Sequence, residues 1–190
     1  MGRKKFKEVF NRVVEMAQKK TWFRTLTVYG TIGYGKSHIV AALALALMKE
    51  RKRVIYLPDC AALKGRFLNY LKQALSLTFV DNEDLLQEIF NYKDFDEILE
   101  RLEKFKGSTR EEFYLLVDQW NAIEPDKDDK KSDDITKIRR DLEQLAFSFY
   151  FIKSASANNM STTSVKGNQT SEITCNCFGG FTEVFSLVLF

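Results

Sequence analysis

The stretch that most constrains this chain is Gly30-Thr31-Ile32-Gly33-Tyr34-Gly35-Lys36-Ser37, which fits the pattern G-x-x-x-x-G-K-S. The glycines let the backbone curl so that its N–H groups point inward around a polyphosphate. The lysine adds a mobile positive charge for the outer phosphates, and the serine hydroxyl is a ligand for Mg²⁺. The flanks agree. A β-forming run, TLTVYG, leads into the loop, and HIVAALALALMKER follows it with Ile39, Val40, Leu43 and Leu47 at helical spacing. A helix opening at the loop aims the positive end of its dipole at the anion. The binding set read from the motif is Gly30, Thr31, Ile32, Gly33, Tyr34, Gly35, Lys36, Ser37 and His38.

At 190 residues the chain has the length of one domain with a real core. A net charge of +3 argues against direct nucleic-acid binding, and the basic residues between Arg3 and Lys20 read as the solvated side of a helix. His38 is the only histidine, which excludes a histidine-cluster metal site and any triad needing a separate histidine. Three cysteines, Cys60, Cys175 and Cys177, form no regular framework and point to a reducing compartment. Cys175 and Cys177 read as residues of a strand rather than as half of a zinc site. The first twenty residues are charged throughout, unlike a signal peptide, and no apolar run reaches membrane-spanning length. A cytoplasmic place, with no membrane partner, is the expectation.

Taken in order, residues 3–20 predict an amphipathic helix, and 25–30 the first strand. The phosphate loop and a helix to about Arg51 follow, then a strand at 53–58 and a helix at 61–79. Asn82 is placed to cap a mostly helical stretch over 83–104 that breaks near Asn91. FYLLVDQ (113–119) reads as a strand buried on both faces, and 124–134 as a charged loop. Ser132 opens a helix, 147–153 (FSFYFIK) reads as a strand, and 172–178 as a last one. Strands alternating with helices predict an α/β fold, a P-loop NTPase three-layer sandwich with a mostly parallel sheet of about five strands. The expected organisation is a packed helix over 1–20, a core over 21–183 and an apolar tail over 184–190.

A second magnesium anchor is needed at the end of a buried strand, and two acids qualify. Asp118 ends an uninterrupted apolar run and is favoured. Asp59 follows Pro58 and has the alternative of capping the next helix. Asp118 fits the ATPase branch with an added central strand, whereas Asp59 would suggest nucleotide kinases or GTPases; no N-K-x-D for guanine is present. Gln119 stands where many such ATPases have a glutamate base. It can orient water but takes no proton, and a lost general base costs roughly 10²–10⁴ in rate. Asn121 lies within reach. Past the 147–153 strand, Ser156 and Asn158 are candidates for sensing the γ-phosphate, and Asn158 joins Lys36 and Gln119 as the expected catalytic set.

The segments VYGTIGYGKSHIVAALALAL, KRVIYLPDC, LLVDQWNAI, SASANN and GGFTE resemble the NTPase domain of crinkler-type effector proteins, from about Lys20 to Glu183. The resemblance implies an AAA-like or signalling-type ATPase core. It places Gly30, Gly33, Gly35, Lys36 and Ser37 on phosphate and Mg²⁺, and Asp118 on the metal. It also implies ATP as the nucleotide, an effector domain or protein partner downstream, and, for some members, secretion and action in host nuclei. The chain departs from the pattern in having no translocation segment, and EVFSLVLF stands where a helical lid is expected, so the fold is expected to lack that lid. Three readings follow: a slow Mg²⁺-dependent ATPase switch module, open to oligomerising; a small-molecule kinase built on Asp59; and a non-hydrolysing interaction module.

Overall fold

The computed structural model describes residues 2–19, 24–109, 111–124, 132–156 and 172–177. Its centre is a five-stranded, wholly parallel sheet in the order β2-β3-β4-β1-β5. The strands are β1 (Thr25–Gly30), β2 (Arg53–Leu57), β3 (Phe113–Val117), β4 (Tyr150–Ser156) and β5 (Glu172–Cys177). Cys175 and Cys177 lie on β5. Parallel strands need crossovers, and here helices supply them on both faces.

One face carries α1 (Gly2–Gln18) and α2 (Lys36–Lys49). Val9, Val13, Met16 and Ala17 recur at helical spacing on α1. They are buried with Leu43 and Leu47 of α2 against Leu26, Val28, Leu116 and Ile152 of the sheet. The other face carries α3 (Phe67–Thr78), α4 (Glu83–Asn91), α5 (Phe95–Ser108) and α6 (Ser132–Ser148), packed on Ile55, Leu57, Phe113, Leu115, Val117 and Phe151. Consecutive strand residues therefore serve opposite cores, which is why FYLLV is apolar without interruption and buried at every position. This is the P-loop NTPase three-layer arrangement the sequence predicts.

Three boundaries differ from expectation. The 61–79 helix is a 3₁₀ turn at Cys60–Leu63 followed by α3, because Gly65 turns the chain at φ +70°. The 83–104 stretch breaks after Asn91 as expected, but its second helix runs on to Ser108. Asn82 caps α4 by accepting from Leu85 N–H, and Asp94, not singled out beforehand, caps α5 by accepting from Glu97 N–H.

The strand placed at 147–153 starts three residues later. Phe147 and Ser148 complete α6, where helical periodicity leaves Phe147 88% exposed, and Phe149 turns into the core. An aromatic run that spans a helix end and a strand start shows no internal boundary. The shift moves Ser154 and Ser156 from a loop into β4. The lid expectation and the 184–190 tail fall outside the described residues.

Candidate functional site

β1 and β4 run side by side with Val28 level with Ser154 and Gly30 level with Ser156. β3 lies on the far side of β4 with Val117 level with Lys153. β4 is thus the inserted strand between the loop strand and the acidic strand. α2 leaves β1 on one face of the sheet and α6 leaves β3 on the other. The carboxyl ends of β1, β4 and β3 therefore flank a change of face, the usual ligand position in open α/β sheets.

The loop from Thr31 to Gly35 joins β1 to α2. Gly33 and Gly35 take φ values of +84° and +73°, with open space where a Cβ would stand. What they supply is the left-handed backbone that curls the loop, not room for a neighbour. Gly35 is the residue before the first turn of α2, whose N–H groups lack intrahelical acceptors. Lys36 is buried, and its Nζ donates to the Gly30 and Thr31 carbonyls at 3.0 and 2.7 Å. The Thr31 hydroxyl is buried with no hydrogen-bond partner among the described residues. Ile32, Gly33, Tyr34, Ser37 and His38 are exposed, so the outer rim of the loop faces solvent.

Asp118 is 2% exposed at the end of β3. Its backbone N–H donates to the Leu57 carbonyl at 2.9 Å, and its carbonyl accepts from Cys60 N–H at 3.3 Å, tying the ends of β2 and β3 together. Its Oδ1 accepts from the Ser154 hydroxyl and, at 3.0 Å, from Gln119 N–H. That same N–H reaches Ser154 Oγ at 3.1 Å. Gln119 itself sits in the left-handed region at φ 58°, ψ 43°, with its side chain exposed. Asn121 Oδ1 accepts from Ser156 N–H at 3.3 Å, which brings Asn121 to the end of β4, level with Gly30.

The other candidate acid is otherwise engaged: Asp59 Oδ1 accepts from Ala61 N–H at 2.8 Å and caps the 3₁₀ turn. Asn158 lies outside the described residues. Ser154 was missed in the sequence because the misplaced strand end put it in a loop; only its register opposite the end of β3 reveals it. The Tyr56 phenol on β2 is pushed up to about 12, first by burial and then by the Asp118 and Tyr70 charges.

The two expected ligands, Ser37 and Asp118, can be tested against metal type by their chemistry. No group of three or more His, Cys, Asp or Glu side chains comes together among the described residues. Ser37 and Asp118 are hard oxygen donors. Mg²⁺ characteristically takes one or two carboxylates, with waters and substrate phosphates completing its shell. The residues fit that ion.

No family model matches the chain, and no curated protein matches its sequence. Among solved structures it is similar to AMPPCP-bound DnaA from Aquifex aeolicus, at 17% identity and a TM-score of 0.42 over 90% of this chain and 44% of that one. It is similar to the HORMA:CdnC:Trip13 complex of E. coli MS115-1, at 11% and 0.43 over 91% and 58%. It is also similar to a DnaB-like replicative helicase, at 12% and 0.36 over 79% and 42%. The chain spans less than two thirds of each of those chains. Likeness this loose has no bearing on function; the fold stands on strand order and loop geometry. No helix among the described residues is long and apolar enough to cross a membrane.

Proposed function

We propose that this chain is a nucleotide-binding module that takes ATP with Mg²⁺ on residues 30–38 and hydrolyses it slowly. The observation that carries the reading is the pairing of a buried Lys36 at the mouth of α2 with a buried Asp118 one strand removed, on the sheet face that α2 covers. The unpartnered Thr31 hydroxyl inside the loop is a further polar group that an anion would satisfy.

Backbone N–H groups of the loop and the first turn of α2 would cradle the phosphates. Lys36 would leave its carbonyl partners for the outer phosphates. Ser37 would hold Mg²⁺ directly and Asp118 through water, and the bound ion would neutralise charge on the phosphates. Gln119 would orient the attacking water without accepting its proton. Asn121 and Ser156, at the end of β4, would sense the γ-phosphate, with Asn158 a further candidate on sequence grounds. Asp59 follows β2, the edge strand three places from β1 in the sheet, which disfavours a small-molecule kinase built on it. The finer placement beside crinkler-type effectors, with a partner or further domain receiving the switch, rests on the quoted segments alone.

Equilibrium binding of a fluorescent ATP analogue with Mg²⁺, wild type beside Lys36→Ala, tests the proposal. Saturable binding lost in the variant supports it. A folded wild type that binds nothing overturns it and leaves a non-hydrolysing interaction module.

A further inference from the structure

Resting on the nucleotide-site reading, we infer that Ser154 is a positioning residue that assigns the two oxygens of Asp118 to different tasks. Ser154 is 1% exposed on β4, the strand between the loop strand and the acidic strand. Its hydroxyl has one proton, and that proton goes to Asp118 Oδ1. Its oxygen accepts from Gln119 N–H at 3.1 Å, and the same N–H supplies a second donor to Oδ1 at 3.0 Å.

Oδ1 is therefore held by two donors, while no hydrogen bond reaches Oδ2 among the described residues. A carboxylate buried at 2% exposure with one oxygen tethered presents the other in a fixed direction. That is the arrangement a metal-bound water needs from an outer-sphere anchor. The tether also closes on the Gln119 peptide, so one hydroxyl sets both the carboxylate rotamer and the start of the turn that carries Gln119. Ser154 touches no ligand in this account; it acts through Asp118.

A merely structural serine and a positioning one separate on metal dependence. The fluorescent ATP analogue is titrated against wild type and Ser154→Ala, once with chelator and once over a Mg²⁺ series. In Ser154→Ala the Mg²⁺ midpoint rises roughly 10–100-fold, as when other outer-shell partners are removed. Affinity in chelator stays at the wild-type value. If Ser154→Ala does not fold, Ser154→Cys, close in volume but a weak donor, is read in its place and shifts the midpoint the same way. An unchanged midpoint, or an equal loss with and without Mg²⁺, overturns the role of Ser154. A wild type that binds no nucleotide overturns the underlying site reading as well, so the two failures are told apart.

Discussion

The Lys36 ammonium donates to the Thr31 carbonyl at 2.7 Å and closes the phosphate loop on itself. The lysine is thus the loop's internal brace. Lys36→Ala removes that brace together with the proposed phosphate ligand. Losing two charge-assisted hydrogen bonds at a partly dry site lowers unfolding free energy by about 1–2 kcal/mol, measured by urea denaturation of the free protein. Nucleotide affinity falls by about 2–3 kcal/mol, or roughly 30–150-fold, in the binding titration. If binding falls while urea stability does not, the brace has no energetic weight.

Asp118 is a buried carboxylate with hydroxyl and amide donors, and no ion pair to it is found among the described residues. Burying a charge held by neutral donors is expensive, and an asparagine can accept the same two donors at the same shape. Asp118→Asn is expected to raise the stability of the free protein by about 1 kcal/mol while abolishing the Mg²⁺-dependent part of nucleotide affinity, the trade commonly found at functional sites. Thermal unfolding with and without Mg²⁺-ATP checks both halves. A destabilised free Asp118→Asn protein would show that the charge is compensated.

What could be read from the residues alone has a physical pattern. The phosphate loop was legible because its chemistry is local: eight consecutive residues set the curl, the charge and the helix start. β3 was legible because five successive apolar residues leave no solvent face. The cap at Asn82 and the break near Asn91 follow from side-chain oxygens beside backbone amides. Illegible features depend on neighbours distant in sequence. Nothing in FSFYFIKSAS marks where α6 stops, since Phe147 and Phe149 look alike until one meets solvent and the other the core. The Ser154–Asp118 bond spans thirty-six positions and exists only because β4 is inserted beside β3. The preference for Asp118 over Asp59 needed no such neighbour: the apolar run before Asp118 and Pro58 before Asp59 are both local.

The phenols predict an alkaline limit to stability. Tyr56, Tyr70, Tyr114 and Tyr150 all titrate above the ordinary tyrosine range, each chiefly through burial. The folded protein holds these protons more tightly than the unfolded chain does. Their contribution is complete below the unfolded value of 10 and is lost as pH rises from there, through about 12 for Tyr56. Tyr56→Phe removes one such group. Its stability relative to wild type improves on going from pH 9 to pH 12 by on the order of 1 kcal/mol, allowing for solvent screening of a half-buried phenol. Urea midpoints across that range measure it; a constant difference between the two proteins would show that Tyr56 does not titrate with unfolding.

Gln119 shows where strain is stored. A glutamine at φ 58° costs on the order of 1–2 kcal/mol relative to ordinary backbone, and the bonds from its N–H to Asp118 and Ser154 hold it there. Gln119→Gly relieves the strain and raises stability by about 1 kcal/mol, less the extra entropy of the unfolded chain. If the turn exists to present the glutamine to water at the γ-phosphate, the same variant binds ATP normally and loses its residual turnover. Gln119→Glu keeps the strained turn and adds a proton acceptor, so single-turnover hydrolysis rises, by up to roughly 10²–10⁴-fold if a general base is all that is missing. Faster hydrolysis in Gln119→Glu with normal binding in Gln119→Gly places the chemistry at this turn. Unchanged turnover in both variants would move it elsewhere.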